Sequence, residues 1–402
     1  MVLYAAAKLS QGGLGWSNAD ALQLTGYYGA LVYVSPIFGG YLADRILGRK
    51  NAVLLGSIIM MCGHLSLAFK GEVFLFVGLA LLITGCGLMK PAISAMVGEF
   101  YDRLDEANKE SGFAIFYMSI NIGGAFGPLV AGLIADHYGY SMAFASAAFG
   151  LFIAIANYFM CKNNSLKNVG NLPTNYLEDR EKNWSKPVKT RFWTYIALCV
   201  SNIFWNVIYG LPYGLLTLYA DKNIDRHVMG FDIPATWYFG MYGFFIILFS
   251  PIIASLYQFI DKVLKLNFTV SYKLAVGYVL LAIACYFLIP LVGFIYHNPN
   301  YVGSSWYLIS FYIFFAFSEL VTIPVLLSAA TSFAPKGYSA TLVSLNMCIS
   351  WAIGAWLGGE FGALTQSLNP VVMFEWVVGL SIAFSVGHIV TNSIIEKVLV
   401  AE

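Results

Sequence analysis

The chain has 402 residues, of which 59% are hydrophobic and 11% charged, with a net charge of +1. A soluble domain carries about 25% charged residues, so a chain this apolar has too little polar surface to cover itself, and most of it must face lipid or other helices. The charge balance gives no footprint for a nucleic-acid partner.

The opening apolar run, residues 1–7, is broken by Lys8 and then by Gly12 and Gly13. It is too short to cross a bilayer, which takes about 20 residues, and it lacks the parts of a signal peptide. Apolar segments long enough to span follow at 20–44, 51–69, 72–98, 112–136 and 139–161. After a polar stretch they resume at 192–220, 236–260, 271–295, 304–333, 338–366 and 371–396. Eleven complete spans plus a stub are therefore predicted.

Basic residues orient these spans. Alternate loops hold Arg45, Arg49 and Lys50; Arg103 and Lys109; seven bases between Lys162 and Arg191; Lys262 and Lys265; Lys336; and Lys397. That is sixteen of the 22 Lys and Arg, and the positive-inside rule places them, with the central linker and the C-terminus, in the cytoplasm. The stub then ends outside, as the outer end of a first helix.

Residues 162–191 are the one long polar connection. They divide an N-terminal helical half, 1–161, from a C-terminal half, 192–402. The halves echo each other. VSPIFGGYLADRILGRK (34–50) resembles FSPIIASLYQFIDKVLK (249–265), and Pro91 in one half has a counterpart at Pro324 in the other. Repeats of this kind build many secondary transporters, with the substrate site near the midplane.

An ionisable side chain deep in a span is a functional candidate by default. Two spans carry one well away from both ends. Lys90 lies roughly 8–10 residues, ~12–15 Å, from the cytoplasmic end of its span; the plain alternative is a lysine snorkelling to the interface. Glu319 lies about fifteen residues from either end of its span, counted along the helix. Its plain alternative is a carboxylic acid hydrogen-bonded permanently between helices. A carboxyl at this depth is able to gain and lose a proton as its surroundings change. Glu360 and Glu375 fall near outer ends and read as interfacial. The six cysteines show no metal-ligand spacing and read as small core residues. The Asn-X-Ser/Thr sites at Asn163, Asn183 and Asn267 fall on the cytoplasmic side and carry no weight. No nucleophile–base pair, metal cluster or phosphate loop is found, so neither catalysis nor nucleotide-driven pumping is expected.

GGYLADRILGRK (39–50) resembles the loop signature of the major facilitator superfamily, in the loop between the second and third helices. Its elements are Gly40, Asp44, Arg45, Gly48 and Arg49. Gly39 and Gly40 let helices approach, and Asp44 can pair with bases. FAIFYMSINIGGAFGPLVAG (113–132) resembles the Phe-Tyr-X-X-Ile-Asn-X-Gly signature of the proton-dependent oligopeptide transporter (POT) family. GLMKPAISAMVGEFY (87–101), SELVTIPVLLSAATSFAPKGYSATL (318–342) and YGALVYVSPIFGGYLADR (28–45) are similar to other motifs of that family. The resemblance covers essentially the whole chain. It implies an all-α membrane protein with the facilitator fold, two pseudo-symmetric six-helix halves, in the cell membrane.

The resemblance also implies roles. Lys90 would hold the peptide carboxylate and take part in coupling, and Glu319 would face the cavity and bind the peptide amino group. Tyr33 and Asn121 match positions where the family contacts substrate; an interhelical hydrogen bond is the alternative for each. Protons would be the co-substrate and the proton gradient the driving force, with no cofactor and a functional monomer.

Three departures stand out. The family's opening motif, Glu-X-X-Glu-Arg-Phe-X-Tyr-Tyr-Gly, would precede Met1, and residues encoded upstream are expected to supply it. The seventh-helix acid falls on Tyr209 or Gly210. The eleventh-helix aromatic falls on Asn346, which is expected to make the pocket more polar. Proton-coupled symport of di- and tripeptides by alternating access is the leading expectation. Transport of another peptide-like or amino-acid-derived solute, with altered or no coupling, is the second. A truncated, non-transporting membrane protein is the third.

Overall fold

The computed structural model describes residues 1–101, 106–167, 169–170, 184–228, 230–262, 269–335 and 339–400. Arg103, Arg180, Lys182, Asn183, Lys265, Asn267 and Lys336 of the motifs above lie outside the described residues, as do the side chains of Lys109, Tyr117, Asn163 and Lys262.

Long apolar runs in a membrane must satisfy their backbone internally, and these runs do so as helices. The stub is a short helix, α1 (Val2–Ala6). Then come α2 (Asn18–Leu42), α3 (Arg49–Ala68), α4 (Glu72–Tyr101), α5 (Glu106–Tyr138) and α6 (Tyr140–Ser165). The second series is α7 (Lys186–Tyr209), α8 (Leu215–Lys222), a two-residue hairpin β1 (His227–Val228) and β2 (Phe231–Asp232), α9 (Thr236–Lys262), α10 (Val270–Tyr286) and α11 (Ile289–His297). It ends with α12 (Trp306–Ser332), α13 (Ser339–Asn346), α14 (Ile353–Leu364) and α15 (Pro370–Val400). A helix thus covers most of each of the eleven predicted spans. Ten helical stretches among the described residues are long and apolar enough to cross a membrane. The eleventh span is α2, whose 25 residues are diluted by tyrosines, glycines and serine.

Several spans are interrupted. Prolines sit inside α2 (Pro36), α4 (Pro91), α9 (Pro251) and α12 (Pro324), the repeated positions noted in the sequence. Neighbouring helices re-satisfy the groups that such prolines release. Two π-turns, Ala43–Leu47 after α2 and Met347–Ala352 between α13 and α14, each widen the helix locally. Helix α6 runs to Ser165 and α7 starts at Lys186, with Pro187 at its first turn, so helix reaches into both ends of the 162–191 stretch.

The contacts divide the chain into two units. One holds Met1–Ser17 and Leu24–Glu178; the other holds Asn18–Gln23 and Asp179–Glu402. In the first, α3 and α4 pack through glycines. A Cβ on Gly56 would lie 2.7 Å from the Gly85 carbonyl oxygen, and one on Gly87 would lie 2.8 Å from Ser35 of α2. Such bare backbone contact is how membrane helices gain close packing without a hydrophobic driving force. The loop motif closes one end of this unit. Gly48 turns at φ +76°, a conformation that favours glycine, and Arg49 pairs with Asp44 at 2.8 Å. Arg45 is exposed. Past α6 the chain returns over this end: the Lys50 amide donates to the Gly170 carbonyl at 3.0 Å, and Val169 is buried among Ala43, Ala52, Val53, Ala92 and Met96.

In the second unit, α10 packs on α12 and α15, and α7 packs on α14 where Gly354 and Gly358 meet Asn206 and Val207. Its core joins Tyr195, Leu198, Leu274, Leu326, Phe333 and Leu342. Glu360 accepts from Gln23 at 2.8 Å, and Lys222 donates to Asn18 at 2.8 Å. The six cysteines are free thiols; Cys86, Cys199 and Cys285 are buried, whereas Cys62 and Cys161 are exposed.

Replacing Gly87 by Ala drives a methyl group into Ser35 and is expected to cost about 1–3 kcal/mol, as overpacking does. The same change at Gly150, whose Cβ would meet nothing within 4 Å, is expected to be neutral. Thermal melting in detergent checks the pair, and equal melting temperatures would refute the close α2–α4 contact.

Candidate functional site

The sequence carries its acid into the most enclosed helix of the chain. Among the candidate spans α12 has the largest buried share, and Glu319 lies at its middle, 7% exposed. It is the one buried Asp or Glu among the described residues. Its Oε2 is buried with no hydrogen-bond partner. A buried polar group without a partner is costly, so this oxygen is a strong acceptor held ready for a proton or a cation.

The adjacent residue builds the wall beside it. Ser318 is buried; its hydroxyl donates to the Gly277 carbonyl at 2.7 Å and accepts from Trp205 Nε1 at 2.8 Å. That bond fixes the Trp205 ring, which stacks on Phe315 (5.3 Å) and Tyr209 (5.6 Å). Tyr209 is the last residue of α7, and Tyr213 lies in the break before α8. Their hydroxyls meet at 2.9 Å across the break. Tyr213 packs on Phe239 at 4.5 Å and lies within electrostatic reach of Glu319. Tyr242 and Tyr312 close the other side around Phe315, each with a buried hydroxyl lacking a partner.

Two expectations are sharpened here. Of the two positions expected for the seventh-helix acid, Tyr209 sends a side chain into this cluster. Gly210 instead packs against Gly358, which a Cβ would approach to 3.3 Å. Asn346 was expected to line the pocket, and the structure assigns it differently. It is 1% exposed, and its Oδ1 accepts from Ser350, whose hydroxyl also lies 2.8 Å from the Cys199 carbonyl of α7. Asn346 is thus part of a helix–helix contact. The residue of this span that reaches the cluster is Trp351, whose ring is 5.0 Å from Tyr209 and nearly perpendicular to it. The rings named here give this wall an aromatic face. The π-turn Met347–Ala352 adds an extra residue to the turn and changes which residues share a face.

In the first unit, Lys90 is exposed and its Nζ lies 5.6 Å over the Tyr33 ring, a cation–π contact. Gly87 against Ser35 and Pro91 beside Gly40 hold α2 and α4 close enough for it. Asn121 lies on α5, half-buried and itself engaged. No group of three His, Cys, Asp or Glu suited to a metal occurs among the described residues. Sequence reasoning did not find Trp205, Phe315, Tyr213, Tyr242 or Trp351. In a chain with 16% aromatic residues, spacing alone does not mark which rings surround an acid.

The family model described as Major Facilitator Superfamily matches residues 1–359. An uncharacterized transporter of Bacillus subtilis, YclF, is 27% identical over 94% of this chain and 86% of its own length. A di-/tripeptide transporter of Lactococcus lactis subsp. cremoris is 28% identical over 90% of this chain and 85% of its own. Among solved structures, the peptide transporter POT, as a glutamate-to-glutamine variant in complex with alafosfalin, superposes with a TM-score of 0.90. It is 26% identical, over all of this chain and 91% of that one.

Asn346→Ala removes the acceptor of a buried serine and is expected to cost about 0.5–1.5 kcal/mol of stability. Thermal melting checks it. An unchanged melting temperature together with altered solute affinity would return Asn346 to the site.

Proposed function

This chain belongs to the Major Facilitator Superfamily, and from that premise we propose that it is a proton-coupled symporter of di- and tripeptides, working in the cell membrane by alternating access. The di-/tripeptide transporter at 28% identity and the POT structure at 26% support this reading. The observation that carries the reading is Glu319, buried at the middle of a span with an oxygen that has no hydrogen-bond partner among the described residues.

The chemistry follows from charge. A zwitterionic peptide presents an ammonium and a carboxylate. The second unit offers one carboxyl set among rings, and the first offers one ammonium held over a ring. A protonated Glu319 still has a carbonyl oxygen that can accept from the peptide ammonium, so one proton and one peptide are carried together and released on the same side, which links proton movement to substrate movement. Lys90, steadied by Tyr33, receives the peptide carboxylate. Asn121 adds a side-chain amide able to donate and accept with the peptide backbone. This recognition reads the ends and backbone common to all short peptides, not their side chains. The proton gradient supplies the energy, no cofactor takes part, and the working unit is a monomer. The distribution of bases puts the central linker and the C-terminus in the cytoplasm. Nothing in this reading calls for covalent chemistry, so the protein is a transporter and not an enzyme.

A second reading rests on Tyr209. A tyrosine where the family resemblance leads one to expect an acid replaces a carboxyl with a phenol, which keeps its proton at physiological pH. It favours transport of another peptide-like solute with altered coupling.

In proteoliposomes, uptake of radiolabelled dialanine is expected to rise as the external medium is made acidic, and Glu319→Gln or Lys90→Ala is expected to abolish that rise. Unchanged pH-dependent uptake in both variants would sink the site assignment. Absence of competition by any dipeptide would favour the second reading.

A further inference from the structure

We propose that the ring wall beside Glu319, with Tyr209 at its centre, sets specificity: it favours peptides whose amino-terminal residue carries an aromatic or large apolar side chain. The inference rests on the reading of Glu319 as the site for the peptide amino group, and it lies wholly within the second unit.

An amino group held at Glu319 keeps its own α-carbon close by. The side chain on that carbon is then confined to whatever surrounds the carboxyl, while the second residue's side chain is carried farther away. Phe315 lies one helical turn before Glu319 on the same face of α12, and Tyr213 lies within electrostatic reach of it, so the rings that pack with these two stand beside the carboxyl. Trp205 and Phe315 are fully buried and form the backing. Tyr209, Phe239 and Trp351 are partly exposed in front of them, and Tyr213 is 41% exposed. Ring faces therefore remain available next to the acid.

Two further features select among side chains. The Tyr209 and Tyr213 hydroxyls bond each other at 2.9 Å, so an apolar group laid over the rings leaves neither of them without a partner. A cationic first side chain finds no additional buried carboxylate, since Glu319 is the one buried acid among the described residues. Burying such a charge unpaired is costly. Offset or edge-on ring contacts reward an aromatic first residue in particular.

Order-swapped dipeptides test this, because Phe-Ala and Ala-Phe have the same composition. In proteoliposomes of the purified protein taking up radiolabelled dialanine, Phe-Ala is expected to compete about three- to tenfold better than Ala-Phe. Tyr209→Ser is expected to bring that ratio toward one, and Tyr209→Phe, which keeps the ring, is expected to retain it. Equal competition by the two dipeptides, or preference for Ala-Phe, in the unaltered protein would overturn the inference without any variant. So would a ratio that Tyr209→Ser leaves unmoved. Absence of dialanine uptake by the unaltered protein would overturn the peptide reading itself, and this inference with it.

Discussion

A carboxyl placed at the centre of a membrane-spanning helix must be compensated by a proton or by a cation, because the apolar surroundings supply neither water nor a second charge. Glu319 stands under this constraint, and the rest of the second unit is arranged so that the protein itself does not relieve it. The adjacent Ser318 is committed to Gly277 and Trp205. The Tyr209 and Tyr213 hydroxyls are bound to each other. A protein that spent its polar groups on satisfying this acid would be more stable and would carry nothing. On the proposed reading, an open acceptor in an aromatic enclosure is kept for the proton and the substrate ammonium.

Close packing makes such an arrangement affordable. Helices in lipid gain little from hiding apolar surface and instead associate by backbone contact at small residues. In the first unit Gly56 meets Gly85, and Gly87 meets Ser35. The second contact sets the spacing at which Lys90 lies over Tyr33. In the second unit Gly354 and Gly358 bring α14 against α7, which carries Trp205 and Tyr209. The glycines therefore place the charged and aromatic side chains, although none of them touches a solute.

Much of this was legible in the residues. Span length, the distribution of bases and the two deep charges are one-dimensional signals, and they led to the helices and to Lys90 and Glu319. Asp44, read as able to pair with a base, meets Arg49, whereas the left-handed turn at Gly48 is a finding of the structure. The less legible parts share a physical cause. Helical periodicity assumes a regular turn, and the π-turn at Met347–Ala352 breaks that assumption. A face counted to Asn346 therefore does not predict that Trp351, five residues on, reaches the cluster. Tyr209 is a similar case, since only the end of α7 at that residue and the break that follows bring its hydroxyl to Tyr213.

The central claim is that one buried carboxyl carries a proton across together with the peptide whose amino group it holds. Its most direct test runs the coupling backwards. Vesicles reconstituted with the protein and loaded with a pH-sensitive dye receive an inward dialanine gradient, with no pH difference imposed. The account predicts that the lumen acidifies with the unaltered protein. With Glu319→Gln it predicts no acidification, although dialanine still exchanges across the membrane. Equal acidification with the glutamine variant, or dialanine influx without proton entry in the unaltered protein, would contradict it.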